Sequence, residues 1–179
     1  EAEGLDTRVF VEQIAPAYTT AWDSVDVVFD DFVRTTEPRH HAAVGEFYRR
    51  VFDNGDIYKG TYDGWYCVSC EAFYTEEELV GDLCPIHRTK PEWVSENNYF
   101  FALSKYEEPL RRLYAERPDF VIPETRRNEV MGFINQGLKD FSISRESVKW
   151  GIPLPNDPEQ VIYVWFDALI NYIAAVGYG

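Results

Sequence analysis

Two short turns carry the strongest constraint in this 179-residue chain: Cys67-Val68-Ser69-Cys70 and, thirteen residues further on, Cys84-Pro85-Ile86-His87. A Cys-x-x-Cys turn presents two thiolates to one ion from the same side. A second short turn supplies the other two ligands and completes a tetrahedron. The set Cys67, Cys70, Cys84 and His87 leaves no vacancy, which predicts a structural ion rather than one that activates water. Thiolate softness and tetrahedral geometry favour zinc over calcium, magnesium or manganese. These are the chain's 3 cysteines, and an odd number in so short a window suits a metal better than a disulfide set. Two other readings stay open here. The turns could hold unrelated buried thiols. Cys67 and Cys70 could instead form a redox pair, but no strand–C-x-x-C–helix context surrounds them, and Cys84 and His87 would go unexplained.

Hydrophobic periodicity sets the frame around these turns. From Asp6 to Val27 the residues Val9, Phe10, Ile14, Ala17, Ala21, Trp22 and Val25 recur at helical spacing, and Pro16 should kink or split that helix. A second helix is expected from Pro38, with Val44, Phe47, Val51 and Phe52 inward and Asn54-Gly55 as its left-handed end. His40 and His41 open it and are expected to be solvated. Residues 57–66 read as a short aromatic hairpin and Glu92-Trp93-Val94 as a strand. Thr75 with Glu78, and Ser104 with Glu107, are spaced as capping boxes. The second opens a helix stopped before Pro118. A further helix is expected over Thr125–Leu138, with Val130, Phe133, Ile134 and Leu138 inward. The continuous apolar run Val161-Ile-Tyr-Val-Trp-Phe166 suits a strand buried on both faces of a parallel sheet, with Asp167 as cap of a following helix.

Composition excludes little but does so usefully. Against 31 acidic side chains stand 17 basic ones, a net charge of −14, which repels phosphate backbones unless the few basic residues cluster. Arg111, Arg112, Arg117, Arg126, Arg127 and Lys139 are only a mild enrichment. No apolar run is long enough to span a membrane, and the acidic start Glu1-Ala2-Glu3-Gly4 is neither a secretory signal nor a transit peptide, so a cytoplasmic protein is expected. The absence of an initiator Met points to a piece of a longer protein.

The metal turns also carry a resemblance. Gly64-Trp-Tyr-Cys-Val-Ser-Cys-Glu71, Phe73-Tyr-Thr75 and Cys84-Pro-Ile-His87 resemble the zinc knuckle of bacterial-type methionyl-tRNA synthetases. Asn98-Tyr-Phe-Phe101, Leu103-Ser-Lys-Tyr106, Arg127-Asn-Glu-Val130, Leu138-Lys-Asp140 and Ser142-Ile-Ser-Arg145 continue it. So do Trp150-Gly-Ile-Pro153, Tyr163-Val-Trp-Phe-Asp-Ala168, Arg34-Thr-Thr-Glu37 and Tyr58; only residues 1–30 match loosely. The resemblance implies an α/β chain, part of the Rossmann-like catalytic fold of a class I synthetase interrupted by a zinc-knuckle connective insert. Residues 1–49 would be helices of the first half of the catalytic domain. Residues 50–136 would be the insert, and 137–179 the return to the nucleotide-binding fold. It implies methionine–tRNA ligase chemistry: methionine and ATP with Mg²⁺ give methionyl-adenylate, and the methionyl group passes to tRNA(Met).

The resemblance further assigns Trp165, Ala168, Leu169 and Tyr172 to the methionine pocket and Arg145 to catalysis beside the methionine and adenylate. A thioether packs well on aromatic rings, and a guanidinium can offset developing phosphate charge. Without it, Trp165, Ala168, Leu169 and Tyr172 have the spacing of a helix face packed on a sheet, and Arg145 would read as a surface arginine. The HIGH-type and KMSKS-type sequences that hold ATP phosphates in class I synthetases do not occur here. The remainder of the catalytic domain is therefore expected to be missing and the chain alone to be inactive. The alternative is a free-standing zinc-knuckle module that binds a partner without catalysis.

Overall fold

A computed structural model describes residues 4–179; the acidic start at Glu1–Glu3 lies outside them. Helix α1 (Thr7–Asp23) is capped by Asp6, whose carboxylate accepts the backbone N–H of Arg8 and Val9. Pro16 neither splits nor ends it. The helix buries none of its residues, so the carbonyl that Pro16 cannot pair faces water at little cost. Helix α2 (Pro38–Asp53) starts on its proline and ends before Gly55, at φ +76°. Its inner face is His40, Ala43, Val44 and Tyr48. Phe47 and Val51 pack beside them and Phe52 is exposed. The expectation of a solvated His40 is overturned: it is fully buried.

The aromatic stretch expected as a hairpin is one long strand, β1 (Ile57–Cys67). It pairs antiparallel with β3 (Glu92–Phe101) from Ile57↔Phe101 to Tyr66↔Glu92. Gly60 lies in mid-strand, opposite Asn98, where a turn had been expected. The short β2 (Ala72–Tyr74) folds back on the end of β1, pairing Tyr66↔Phe73 and Cys67↔Ala72. Glu78 accepts the backbone N–H of Thr75 at 2.7 Å, as the first capping box requires. The second is not formed. Glu107 instead accepts from Arg111 and from the Leu138 N–H, while the Ser104 N–H goes to Asp140.

Helices α3 (Glu107–Glu116) and α4 (Glu124–Asn135) form a satellite core of Tyr114, Ile134 and Leu138; Phe133 is exposed rather than inward. Strand β4 (Phe141–Ser142) adds to the far edge of β3. A second sheet follows, with β5 (Ser144–Arg145), β6 (Pro153–Leu154) and β7 (Asp157–Ile162) in the order β5-β7-β6, all antiparallel.

The run 161–166 therefore does not form a parallel strand. Its first two residues end β7, and Val164–Asp167 turns into helix α5, followed by a 3-10 turn and α6 (Asn171–Ala174). No parallel pair occurs among the described residues. Val161 is buried between its partners Arg145 and Pro153, and Ile162 joins the main core, where Ala43, Val44 and Tyr48 of α2 cluster with Ile57, Tyr99, Ile143, Ile152, Leu154, Ile170 and Ala174. Among the described residues no helix is long and apolar enough to cross a membrane.

Candidate functional site

The β1–β2 turn and the turn after Leu83 converge. The three sulfurs of Cys67, Cys70 and Cys84 and a ring nitrogen of His87 all lie within 4.8 Å of one another. Cys70 Sγ is 2.9 Å from His87 Nδ1 and 3.3 Å from Cys84 Sγ, and no disulfide links the thiols. The second turn is held by its backbone, with Cys84 N–H bonded to Thr89 O and Arg88 N–H to Cys84 O. Burial pushes the Cys84 thiol up, but the N–H groups of His87 and Ile86 and the Cys70 thiol outweigh it and bring it to about 6. Cys67 and Cys84 are buried, Cys70 is partly so and His87 is exposed. Three unpaired thiols and an imidazole on so small a circle form a closed donor set that fits a tetrahedral ion. The redox-pair and unrelated-thiol readings leave this convergence unexplained.

Immediately beside the metal turns opens a cavity of about 510 Å³. Tyr66 and Glu71, the neighbours of Cys67 and Cys70, form one wall. Arg145, Lys149, Trp150 and Gly151 come from β5 and the loop after it, Arg8 from α1, Thr36 from the turn before α2, His41 from α2, and Tyr163, Val164 and Asp167 from the segment after β7. Gly151 has φ +154°, and a Cβ there would stand 3.1 Å from the Cβ of Val161, so the loop can follow β7 this closely only as glycine. The Tyr163 hydroxyl donates to the backbone carbonyl of Glu71, which ties the segment after β7 to the β1–β2 hairpin.

Arg145 is not the surface arginine that its sequence context alone suggests; it is 3% exposed. Its Nε lies 3.1 Å from Glu96 Oε2, and its guanidinium carbon sits 4.1 Å over the Tyr66 ring and 5.0 Å over Phe73. Burial alone would raise the Glu96 carboxyl. Ser147, the Arg145 charge and Asn98 together outweigh that and hold it below its ordinary range.

The four residues assigned to a methionine pocket are not gathered in this cavity. Trp165 (60%), Leu169 (65%) and Tyr172 (73%) are exposed on the outer face of the turns after β7, with Ala168 half-buried between them. They are thus not the core face that spacing alone would make them. Asp167 is not a helix cap: no backbone N–H reaches its side chain. It is buried against His40, with Asp167 Oδ1 4.0 Å from His40 Nε2. Desolvation pushes the carboxyl up to about 7 and the imidazole down. Sequence reasoning missed His40, Asp167, Glu96 and the Tyr66–Phe73 ring pair. The available signal was polar residues at inward positions: His40 in register with Val44 on α2, and Glu96 alternating with Asn98 on β3.

An α/β chain whose paired strands end in a closed thiol–imidazole cluster beside a basic-walled cavity is described by one family model, "tRNA synthetases class I (M)", which matches residues 1–90 and 76–179. The chain belongs to that family, the methionyl-tRNA synthetases. It is 53% identical over 178 residues to the methionine–tRNA ligase of Thermosynechococcus vestitus, covering 98% of this chain and 34% of that protein. The chloroplastic/mitochondrial methionine–tRNA ligase of Arabidopsis thaliana is 51% identical over 176 residues, covering 98% and 29%. Methionyl-tRNA synthetase of Mycobacterium tuberculosis, solved in complex with methionyl-adenylate, superposes with a TM-score of 0.90 at 42% identity over 99% of this chain and 36% of that one. The chain thus spans about a third of the length of the relatives it matches.

Proposed function

We propose that this chain is part of a methionine–tRNA ligase that activates methionine with ATP and Mg²⁺ and transfers it to tRNA(Met) in the cytoplasm. The observation that carries this is the match, 53% identical over 98% of the chain, to a methionine–tRNA ligase. Residues 50–136 act as the connective insert, between helices of the catalytic domain (1–49) and the return to its nucleotide-binding fold (137–179). Cys67, Cys70, Cys84 and His87 hold a structural Zn²⁺, which supplies the cross-link that keeps the β1–β2 hairpin and the Cys84 turn together. With every position filled by a side chain, the ion has no seat for water and takes no part in chemistry.

The remaining roles belong to the chain's own side chains. Arg145 presents a fixed positive charge at the cavity wall, where it offsets charge that develops on phosphate during adenylation. A low-dielectric wall makes that charge worth more than it is in water. Trp165, Ala168, Leu169 and Tyr172 line the methionine pocket, where aromatic faces suit a polarizable thioether. Their exposure leaves large apolar side chains open to a substrate or to the rest of the synthetase.

Methionine-dependent ATP–pyrophosphate exchange by the full-length gene product tests the reading. Turnover that requires methionine is expected, and turnover with another amino acid in its place would refute it. The 179 residues alone hold neither phosphate-binding signature and are expected to show no exchange.

A further inference from the structure

Glu96 has no role in anything derived so far, yet its position is unusual. It sits on the inner side of β3 at 7% exposure, and two residues along, the fully buried Asn98 donates to the same Oε2 at 3.3 Å. That oxygen also takes Arg145 Nε. Among the described residues Glu96 is the one carboxylate within ion-pair distance of Arg145. A guanidinium this buried is costly without a partner. Glu96 meets its edge, and the Tyr66 and Phe73 rings meet its face, an arrangement favourable to a cation. The guanidinium is thus fixed on two sides. Its Nη1 is buried with no hydrogen-bond partner in the chain, and Arg145 lines the cavity together with Arg8 and Lys149. A desolvated donor left unmatched is costly, so an acceptor supplied by a ligand gains from it.

We propose that Glu96 is a positioning residue for the adenylation reaction. Its carboxylate, with the Tyr66–Phe73 ring pair, holds the Arg145 guanidinium at the cavity wall so that Nη1 stays free for an anionic oxygen of the substrate. The inference rests on the functional reading of Arg145 above. It adds a physical link between the metal lobe and the site: Tyr66 precedes the ligand Cys67, and Phe73 pairs with Tyr66 across the hairpin that the ion braces. Glu96 touches no reacting atom. It acts through Arg145, and the two should fail together.

A double-mutant cycle in the full-length gene product tests this. Glu96→Ala is expected to lower kcat for methionine-dependent exchange about 100-fold, with a smaller change in KM for methionine, as a displaced catalytic group does. Glu96→Gln keeps an acceptor for Nε and is expected to lose only about tenfold. On an Arg145→Ala background, Glu96→Ala is expected to cost less than about twofold more, because the residues act as one unit. The second readout needs no activity. Phenylglyoxal modification of Arg145, followed by peptide mass spectrometry against the exposed Arg112, is expected to run about tenfold faster in Glu96→Ala and to rise in Glu96→Gln. Metal content and thermal midpoint identify any variant that fails to fold; if Glu96→Ala does, Glu96→Gln carries both readouts. Wild-type kcat in the Glu96 variants, equal losses on both backgrounds, or an unchanged Arg145 modification rate would overturn the proposal. If the wild-type product shows no methionine-dependent exchange, the functional reading falls, while the modification rates still decide whether Glu96 holds Arg145.

Discussion

Asp167→Asn should stabilise the protein at alkaline pH and do little in acid. The Asp167 carboxyl is 7% exposed, accepts no hydrogen bond at Oδ1, and titrates near 7 instead of near 3.8 because burial disfavours its ionised form. The folded chain therefore keeps this proton at pH values where the unfolded chain has released it. Stability is undiminished below about pH 4, falls as pH rises through the interval up to 7, and is flat above. Full ionisation at pH 8 carries a deficit of roughly 4 kcal/mol. Water entering the cavity relieves part of it, so a gain of about 2 to 4 kcal/mol is expected for the variant, or about 5 to 15 °C in midpoint. The amide has a place to donate, since His40 offers two unpartnered ring nitrogens, the nearer 4.0 Å from Asp167 Oδ1. Urea unfolding followed by tryptophan fluorescence at pH 4.5, 6 and 8 gives the difference between variant and wild type. Loss of metal in acid affects both proteins and cancels. A difference independent of pH, or a variant less stable at pH 8, would refute the desolvation argument.

Two further outcomes follow from the packing. Pure protein should carry one zinc per chain, and chelation should raise hydrogen exchange first over residues 64–95 while amides of Tyr99, Ile143 and Ile162 stay protected; uniform loss of protection would sink the account of a locally braced insert. Ile143→Ala empties a fully buried position of the main core and should cost about 3 kcal/mol in denaturant unfolding, against which a cost below about 1 kcal/mol would count.

The cluster of three thiols and an imidazole was legible because its chemistry is local: each half-site is a four-residue turn, and only the approach of the two turns needed the fold. Helix α2 was legible for a similar reason, since Pro38 and Gly55 mark its ends through backbone restrictions of their own. What the sequence concealed depends on partners far along the chain. Gly60 reads as a turn, yet 37 residues after it Asn97 and Asn98 extend a strand that straightens it. The run Val161–Phe166 is apolar throughout, but Val161 is buried between β5 and β6 and Ile162 in the main core, while Trp165 is exposed on a helical turn. Periodicity cannot divide such a run, because burial on both faces of a strand and exposure of an aromatic on a helical turn produce the same letters. His40 was misjudged for the opposite reason, as is Arg145 when it is read without the resemblance. Arginine favours the surface on average, yet an ion pair across 49 residues and the Tyr66 and Phe73 rings keep Arg145 inside.

Strand β3 links these distant features physically. Ten residues of extended chain cover about 33 Å. Over that length β3 meets Trp65 and Tyr66 at the metal end, carries Glu96 beneath Arg145, and reaches the core at Tyr99, whose N–H bonds Ser144 Oγ at 2.8 Å. From Asn97 onward a second anchor holds it, as Gln160 of β7 donates to the Asn97 carbonyl at 2.6 Å and Phe100 and Phe101 pair with β4. Toward Glu92 its only strand neighbour among the described residues is β1, which ends in the cysteine turn. Loosening that begins at the metal should therefore run down the ladder and stop near Gly60↔Asn98. Glu96 and the rings over Arg145 lie on the metal side of that boundary, and Ile143, Leu154 and Ile162 on the other. If the cluster holds an ion as proposed, removing it should loosen Arg145 before it loosens the core.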